Sequence, residues 1–364
     1  MLYVRKKQSL VTMEGRKECL VLRLDGIGDT IVFSGCLKLI REKYPIDKIT
    51  IVVRSYVKEL LEKCPYVDEI IPWDFKKFAY NPLYRGSFLR GILKRNISSL
   101  LYPMWSQTEA GEDICKVSNA ENIYAFDSNP QGNPDWGKWN LVKVPVENRS
   151  ELDRYVFFMK TLGISIGRAE IFPTMWISSK DKEKVEGILS QYGLSSFLVL
   201  FPCAGSRNRI WPVEKWLALI NELIKLTGKD IVLLGGKGDK VICNWLTQSV
   251  GNSRIKNLCG FMGLRELGEF IKRSSLYIGS ETGALQMAVA VKTPAVSIMG
   301  GGHYGRFFPY GDLSKNRIVT KEMDCYNCDW NCKYDSEKCV SEISVNNVLD
   351  ALVGLLWKKG GLDG

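Results

Sequence analysis

The sequence predicts an α/β protein made of two doubly wound domains. Apolar strand-like runs alternate with helical patterns in two series, separated near Gly163–Ser179. That alternation is the mark of parallel sheets with crossover helices. The turns after the strands also carry Gly, Ser, Thr and Asp. The clearest is Leu276-Tyr277-Ile278-Gly279-Ser280-Glu281-Thr282-Gly283, where a strand ends and a helix is expected over Ala284–Val291. Such a turn lies at the carboxyl end of a strand, where open α/β sheets take ligands. Unpaired N–H groups near Thr282 and Gly283 suit an anion such as phosphate. The plain alternative is a helix capped by Thr282 or Ser280.

The expected domains are residues 1–175 and 176–364. Residues 1–17 read as a loose basic extension. A strand over Cys19–Leu24, interrupted by Arg23, leads into the turn Asp25-Gly26-Ile27-Gly28-Asp29. Ile31, Val32, Leu37, Leu39 and Ile40 then give one helix from Thr30 to Lys43, stopped by Tyr44-Pro45. The β-branched run Ile49–Val53 predicts a buried parallel strand, Tyr56–Lys63 a short helix and Glu69–Ile71 a strand. Asn119–Trp139 is loop-like in composition, and a helix resumes over Glu151–Leu162. In the second series, strands are expected at Phe197–Phe201, Ile231–Leu234, Ile255–Leu258, Leu276–Ile278 and Ala295–Met299. The helices expected before Ala284 lie near Val213–Thr227, Val241–Val250 and Leu264–Arg273, and Ser344–Trp357 is a last amphipathic helix.

A length of 364 residues, with 45% hydrophobic and 11% aromatic content, fits two folded cores. No apolar run is long enough to span a bilayer, and Met1–Lys17 has no apolar signal core, so a cytoplasmic protein is expected. The net charge of +10 suits polyanionic partners: nucleic acid, anionic lipid or phosphorylated substrates. Phe75–Gln107 concentrates that charge. It holds Lys76, Lys77, Arg85, Arg90, Lys94 and Arg95, with no acid between Asp74 and Glu109, among Phe75, Phe78, Tyr80, Tyr84 and Phe88. Basic and aromatic content suits a membrane surface or single-stranded nucleic acid; a solvated face over a core helix explains it equally well.

Eleven cysteines in a reducing compartment read as thiols or metal ligands. Cys325, Cys328, Cys332 and Cys339 follow C-x2-C-x3-C-x6-C, compact enough for one tetrahedral metal, most simply structural zinc. Free thiols or two disulfides are the other readings. His303, the single histidine, rules out a multi-histidine metal site. A formal G-x-G-x-x-G at Gly300, Gly302 and Gly305 is rejected as a dinucleotide fingerprint, because Arg306-Phe307-Phe308-Pro309 opens no helix. The turn Pro202–Pro212 places Ser206, Arg207 and Arg209 before a helix, again suited to phosphate. Asp29 is either a stabilising carboxylate at a helix start or a group facing the ligand.

Leu22-Arg23-Leu24-Asp25-Gly26-Ile27-Gly28-Asp29-Thr30, Cys64-Pro65-Tyr66-Val67-Asp68, Gly205 through Arg209-Ile210-Trp211-Pro212, Leu233-Leu234-Gly235-Gly236 and Glu281-Thr282-Gly283 occur in this order. Together they resemble glycosyltransferase family 9, the bacterial heptosyltransferases, over nearly the whole chain. The resemblance implies a GT-B fold, two Rossmann-like doubly wound domains facing a cleft, with the nucleotide sugar held mainly by the second. It implies inverting, metal-independent transfer, typically from ADP-heptose to a growing lipopolysaccharide core; the basic aromatic segment 75–95 would meet a phosphorylated glycolipid acceptor at the inner face of the cell membrane. Asp29 matches the general base, and Arg23 a basic residue that accompanies it. Ser206, Arg209, Met262, Thr282 and Gly283 match donor contacts. Glu281 stands where the family usually has Asp, and Gln286 where it usually has His, so the donor sugar is expected to differ. Similar cysteine clusters in the family imply that a zinc or iron held there is structural, and that catalysis needs no cofactor. The expected partners are an ADP-heptose-like donor and a phosphorylated glycolipid or glycan, with peripheral membrane contact. The rival reading is a nucleic-acid-binding protein built on the basic aromatic segment and the cysteine cluster.

Overall fold

The computed structural model of the chain describes residues 16–128, 139–147 and 150–356. Residues 1–15 of the basic extension, part of the Asn119–Trp139 loop and Trp357 lie outside them. The chain divides into two compact units, Met1–Phe172 and Pro173–Gly364.

The first unit runs β1 (Glu18–Arg23), α1 (Ile27–Ser34), α2 (Leu37–Lys43), β2 (Lys48–Arg54), β3 (Glu69–Trp73), α3 (Phe75–Tyr80), α4 (Pro82–Leu93), β4 (Ile97–Tyr102), α5 (Glu109–Val117), β5 (Asn122–Phe126), β6 (Trp139–Val142) and α6 (Glu151–Thr161). Its six-stranded sheet has the order β3-β2-β1-β4-β5-β6, with every pair parallel. β1 is buried along its whole length, as a strand covered on both faces must be.

Four expectations are corrected here. The single helix over Thr30–Lys43 is two, interrupted at Gly35 and Cys36. A Cβ at Gly35 would lie 2.8 Å from the backbone oxygen of Phe172, so only glycine lets that segment cross the break. Tyr56–Lys63 contains only a 3-10 turn at Lys58–Leu60. The basic segment contains a fully buried strand, β4. The loop-like stretch contains β5.

The second unit runs α7 (Ser179–Tyr192), β7 (Phe197–Phe201), α8 (Val213–Leu226), β8 (Asp230–Leu233), α9 (Lys240–Val250), β9 (Ile255–Asn257), α10 (Leu264–Arg273), β10 (Leu276–Ser280), α11 (Gly283–Ala290), β11 (Ala295–Ile298), β12 (Asn316–Val319), α12 (Lys338–Ser341) and α13 (Val345–Leu356). Its parallel sheet has the order β12-β11-β10-β7-β8-β9. Counted within each unit, the two orders are the same, the doubly wound order of dinucleotide-binding folds. The sequence pattern did not mark β12.

Asp181 anchors α7. Its Oδ2 accepts from the backbone N–H of Ser178 at 2.8 Å and pairs with Arg265 Nε on α10 at 2.9 Å. Burial works against the carboxylate, but the hydrogen bonds from Arg265 and Ser178 prevail and hold Asp181 at about 2. The folded state therefore binds this proton less tightly than the unfolded chain. The contribution is complete above the unfolded value of about 4 and is lost as pH falls to about 2. Asp181→Ala is expected to cost on the order of 2 kcal/mol near neutral pH, with the difference from wild type shrinking in acid. Urea unfolding at both pH values measures it, and a difference independent of pH would refute the assignment.

Candidate functional site

Both sheets reverse their winding at one place, between the first and fourth strands of the unit, and the loops beyond those strands carry the candidate residues. In the second unit the loops follow β7 and β10, which pair from Leu276↔Leu198 to Gly279↔Phe201. Beyond β7, Ser206 precedes the 3-10 turn Arg207–Arg209, and Ser206 and Arg209 are half-buried. Beyond β10, Glu281 is buried, Thr282 occupies the N-cap of α11, and Gly283 is its first residue. Arg209 Nη1 donates to the backbone oxygen of Glu281 at 3.2 Å and joins the two loops. Arg209 Nε is buried without a hydrogen-bond partner among the described residues. The Thr282 side chain makes no cap hydrogen bond; its Oγ1 lies 3.4 Å from Tyr277 Oη. A guanidinium, a hydroxyl and the free N–H groups of a helix start thus gather at the carboxyl ends of two adjacent strands. That arrangement has the chemistry to take phosphate or diphosphate.

Met262 lies beyond β9, two residues before α10, and is half-buried. Gln286 is buried in α11, and its side-chain oxygen accepts from the Tyr310 hydroxyl. Its carbonyl is therefore already engaged within the unit.

In the first unit, Asp29 sits at the start of α1, half-buried, and its Oδ2 accepts from the backbone N–H of Gly26 at 3.2 Å. One oxygen thus serves the helix start. Arg23 is not at the surface. It is 1% exposed, donates to the backbone oxygen of Pro103 at 2.6 Å, and pairs with Asp25 at 2.6 Å. Its guanidinium lies over the Phe33 ring, 4.7 Å from the centroid. Tyr155 packs edge-on against Phe33, and Glu151 pairs with Arg154 at 2.8 Å, so α6 closes this cluster. Asp25 Oδ1, Arg23 Nε and Tyr155 Oη are buried without hydrogen-bond partners among the described residues. Asp25 was not singled out from the sequence, although an acid four residues before Asp29 was visible there. Glu151 and Tyr155 lie far along the chain and left no local signal.

Every cysteine is a free thiol, which removes the reading of two disulfides. Cys325, Cys328 and Cys332 are half-buried and Cys339 is buried. Burial raises the thiols of Cys332 and Cys339, and the neighbouring cysteines raise them further, so the four share one region. Among the described residues, no three His, Cys, Asp or Glu side chains are gathered to hold a metal. The four thiols as placed therefore do not form a ligand set. The cysteine loop does seat on the glycines after β11. A Cβ at Gly301 would lie 2.2 Å from Tyr326 Cδ1, and one at Gly302 would lie 2.4 Å from Trp330 Cδ2. Asn327 and Asp329 donate backbone hydrogen bonds to Gly301 and Gly302 at 2.8 and 3.1 Å. Close aromatic packing accounts for these glycines.

Two parallel six-stranded α/β units, with candidate ligand loops at their switch points, define a nucleotide-binding architecture of the GT-B type. The profile of glycosyltransferase family 9 (heptosyltransferase) matches residues 140–336, and the chain belongs to that family of glycosyltransferases. Lipopolysaccharide heptosyltransferase 3 of Escherichia coli is 22% identical over 277 residues, 75% of this chain and 80% of that protein. The family 9 glycosyltransferase of Veillonella parvula superposes with a TM-score of 0.80 at 20% identity, covering 95% of this chain and 99% of the other. The E. coli ADP-heptose lipopolysaccharide heptosyltransferase II gives a TM-score of 0.72 at 17% identity, covering 94% and 100%.

Burial, with the negative charges of Asp29 and Glu151, pushes the Asp25 carboxyl up to about 7 against the downward pull of Arg23. The folded state therefore binds this proton more tightly than the unfolded chain. Its contribution is full below the unfolded value of about 4 and disappears as pH rises to about 7. Asp25→Asn, which stays neutral, should abolish that component. The stability of wild type relative to the variant should fall by a few kcal/mol between about pH 4 and 7. Denaturant unfolding across that range tests it; a constant difference would mean that Asp25 is ionised throughout.

Proposed function

We propose that the chain is an inverting glycosyltransferase that moves a heptose or closely related sugar from an ADP-linked donor to a phosphorylated lipopolysaccharide-type acceptor. The observation that carries this reading is the joined pair of loops beyond β7 and β10, with Arg209 bonded to the Glu281 carbonyl. Family membership supplies the reaction class. Ser206, Arg209 and the N–H groups at Thr282 and Gly283 hold the donor diphosphate, with Met262 against the nucleotide. Asp29 takes the proton of an acceptor hydroxyl as that oxygen bonds to the anomeric carbon. The bond from that carbon to the diphosphate oxygen breaks on the opposite side, inverting the centre, and the nucleoside diphosphate departs. Arg209 and the start of α11 stabilise the charge that builds on the leaving group, so the step needs no divalent metal. Arg23, being buried, acts as a positioning residue for the Asp25–Asp29 turn.

Gln286 cannot become cationic, whereas a histidine in its place could. Together with the longer Glu281, this points to a donor whose hydroxyl pattern differs from the usual heptose. The reaction belongs on the cytoplasmic side, at the inner membrane face. No described helix is long and apolar enough to cross a membrane. The nucleic-acid reading is not favoured, since it leaves the family match unexplained.

Calorimetric titration with ADP-heptose, other ADP-sugars and UDP-sugars tests the donor: Arg209→Ala should weaken the best ligand by about tenfold or more. Asp29→Asn should lower turnover by about 10²–10⁴-fold while leaving donor affinity and fold intact. Near-normal turnover in that variant would reduce Asp29 to a helix-start carboxylate.

Structural zinc or iron at Cys325, Cys328, Cys332 and Cys339 is proposed on spacing alone and requires the loop to close around the ion. Protein purified without chelator should then carry about one equivalent of metal per chain, and fewer titratable thiols than after chelation. Absence of metal with all four thiols reactive would end the proposal.

A further inference from the structure

The segment between Asp74 and Glu109 has no acidic residue, yet its cations are not equivalent. Arg95 is committed to the interior edge of the sheet. It bonds Glu69 through both nitrogens, at 2.7 and 3.1 Å, and also bonds Glu18. Arg85 pairs with Asp113 on α5. Lys76, Lys77, Arg90 and Lys94 are exposed and form no ion pair among the described residues. The aromatics divide in the same way. Phe78 is buried against Trp73 and Phe88, with ring centroids 5.8 and 5.9 Å apart, and Tyr84 packs on Phe88. These rings form the core under α3 and α4. Tyr80 and Leu83, on either side of the Asn81-Pro82 junction, are 82% and 83% exposed, and Phe75 is 54% exposed.

Helical spacing puts the free cations beside the exposed apolar tip. Lys76 and Lys77 lie four and three residues before Tyr80 on α3, so they flank it on one face. Leu83, Ser87 and Arg90 share one stripe of α4, which runs back from the tip toward Lys94. That stripe has a single apolar residue, so it is not the continuous seam that docks in a protein groove. Single-stranded nucleic acid would need free aromatic faces, and most rings here are packed against one another. A small apolar tip ringed by unpaired lysine and arginine has the composition of an interfacial anchor.

We propose that the α3–α4 tip docks on an anionic lipid surface, with Tyr80 and Leu83 entering the interface and Lys76, Lys77, Arg90 and Lys94 facing the headgroups. This deepens the acceptor half of the transferase reading and rests on it for its purpose: a lipid-anchored acceptor is presented at such a surface. Attachment is peripheral and reversible, through one shallow apolar contact and about fivefold in affinity for each cation at low salt.

The full chain is tested by co-sedimentation with phosphatidylglycerol–phosphatidylcholine vesicles and with phosphatidylcholine alone. Binding is expected only to the anionic vesicles, and it should weaken with added salt. Tyr80→Ser with Leu83→Ser should weaken it by about tenfold or more, and so should Lys76→Gln with Lys77→Gln. All four positions are exposed, so unfolding midpoints should match wild type. No binding, equal binding to neutral vesicles, or binding that these substitutions leave unchanged overturns the proposal. So does retention of a labelled single-stranded RNA, but not of vesicles, through the same residues. Donor titration separates the two readings. A chain that binds anionic vesicles through these residues yet binds no nucleotide sugar supports the docking surface and overturns the transferase reading alone.

Discussion

The parallel pairing of β10 with β7 is the constraint on which the candidate anion site of the second unit depends. The strands are far apart in sequence, and the crossover that separates them reverses the winding of the sheet. Helices on either side of that point lie on opposite faces, so the two loops at the carboxyl ends splay and leave room above the strand tips. Nothing in either loop alone makes an anion site: one offers Ser206 and Arg209, the other the start of α11. Strand register brings them to hydrogen-bonding distance, and the Arg209 bond to the Glu281 carbonyl fixes the guanidinium.

The first unit uses the same topology with different contents. β1 and β4 are its reversal pair, and Arg23 reaches from one to the carbonyl of Pro103 beyond the other. Here the cation is sealed under Phe33 and Tyr155 and paired with Asp25 instead of being presented, and Asp29 is left half-buried at the helix start. The switch-point loops of the two units thus differ in charge: the second presents the Arg209 guanidinium, and the first carries the Asp29 carboxylate at a helix start.

Strands and helices with clean patterns were readable directly. β7 and α10 fall on their expected residues, because an unbroken apolar run and a strongly amphipathic stretch leave no ambiguity. The failures have physical causes. β4 contains Ser98 and Ser99, which looked polar; in the sheet, Ser98 donates to the backbone oxygen of Glu18 and to Asp47. β5 hid in a stretch of turn-forming residues, and β12 carries Asn316 and Arg317 at an edge, where a strand tolerates polar residues. The break at Gly35 is imposed by Phe172, a contact no local pattern encodes. Asp29, Ser206, Arg209 and Thr282 were singled out through motif order, and each lies in a loop or helix start just beyond a switch-point strand. The burial of Arg23 was not, because it depends on rings and carbonyls brought in by α1, α6 and the end of β4.

The seat of the cysteine loop has an evolutionary consequence. Gly301 and Gly302 hold the space filled by the rings of Tyr326 and Trp330, with separations too short for any added carbon. Neither partner can drift alone: a side chain at 301 or 302 would expel the ring, and a smaller residue at 326 or 330 would open a gap beside the glycines. The two segments should therefore be inherited as one block. Relatives that lack the aromatic loop should be free of glycine at these two positions, and a graft of the cysteine loop onto such a relative would have to carry both glycines with it.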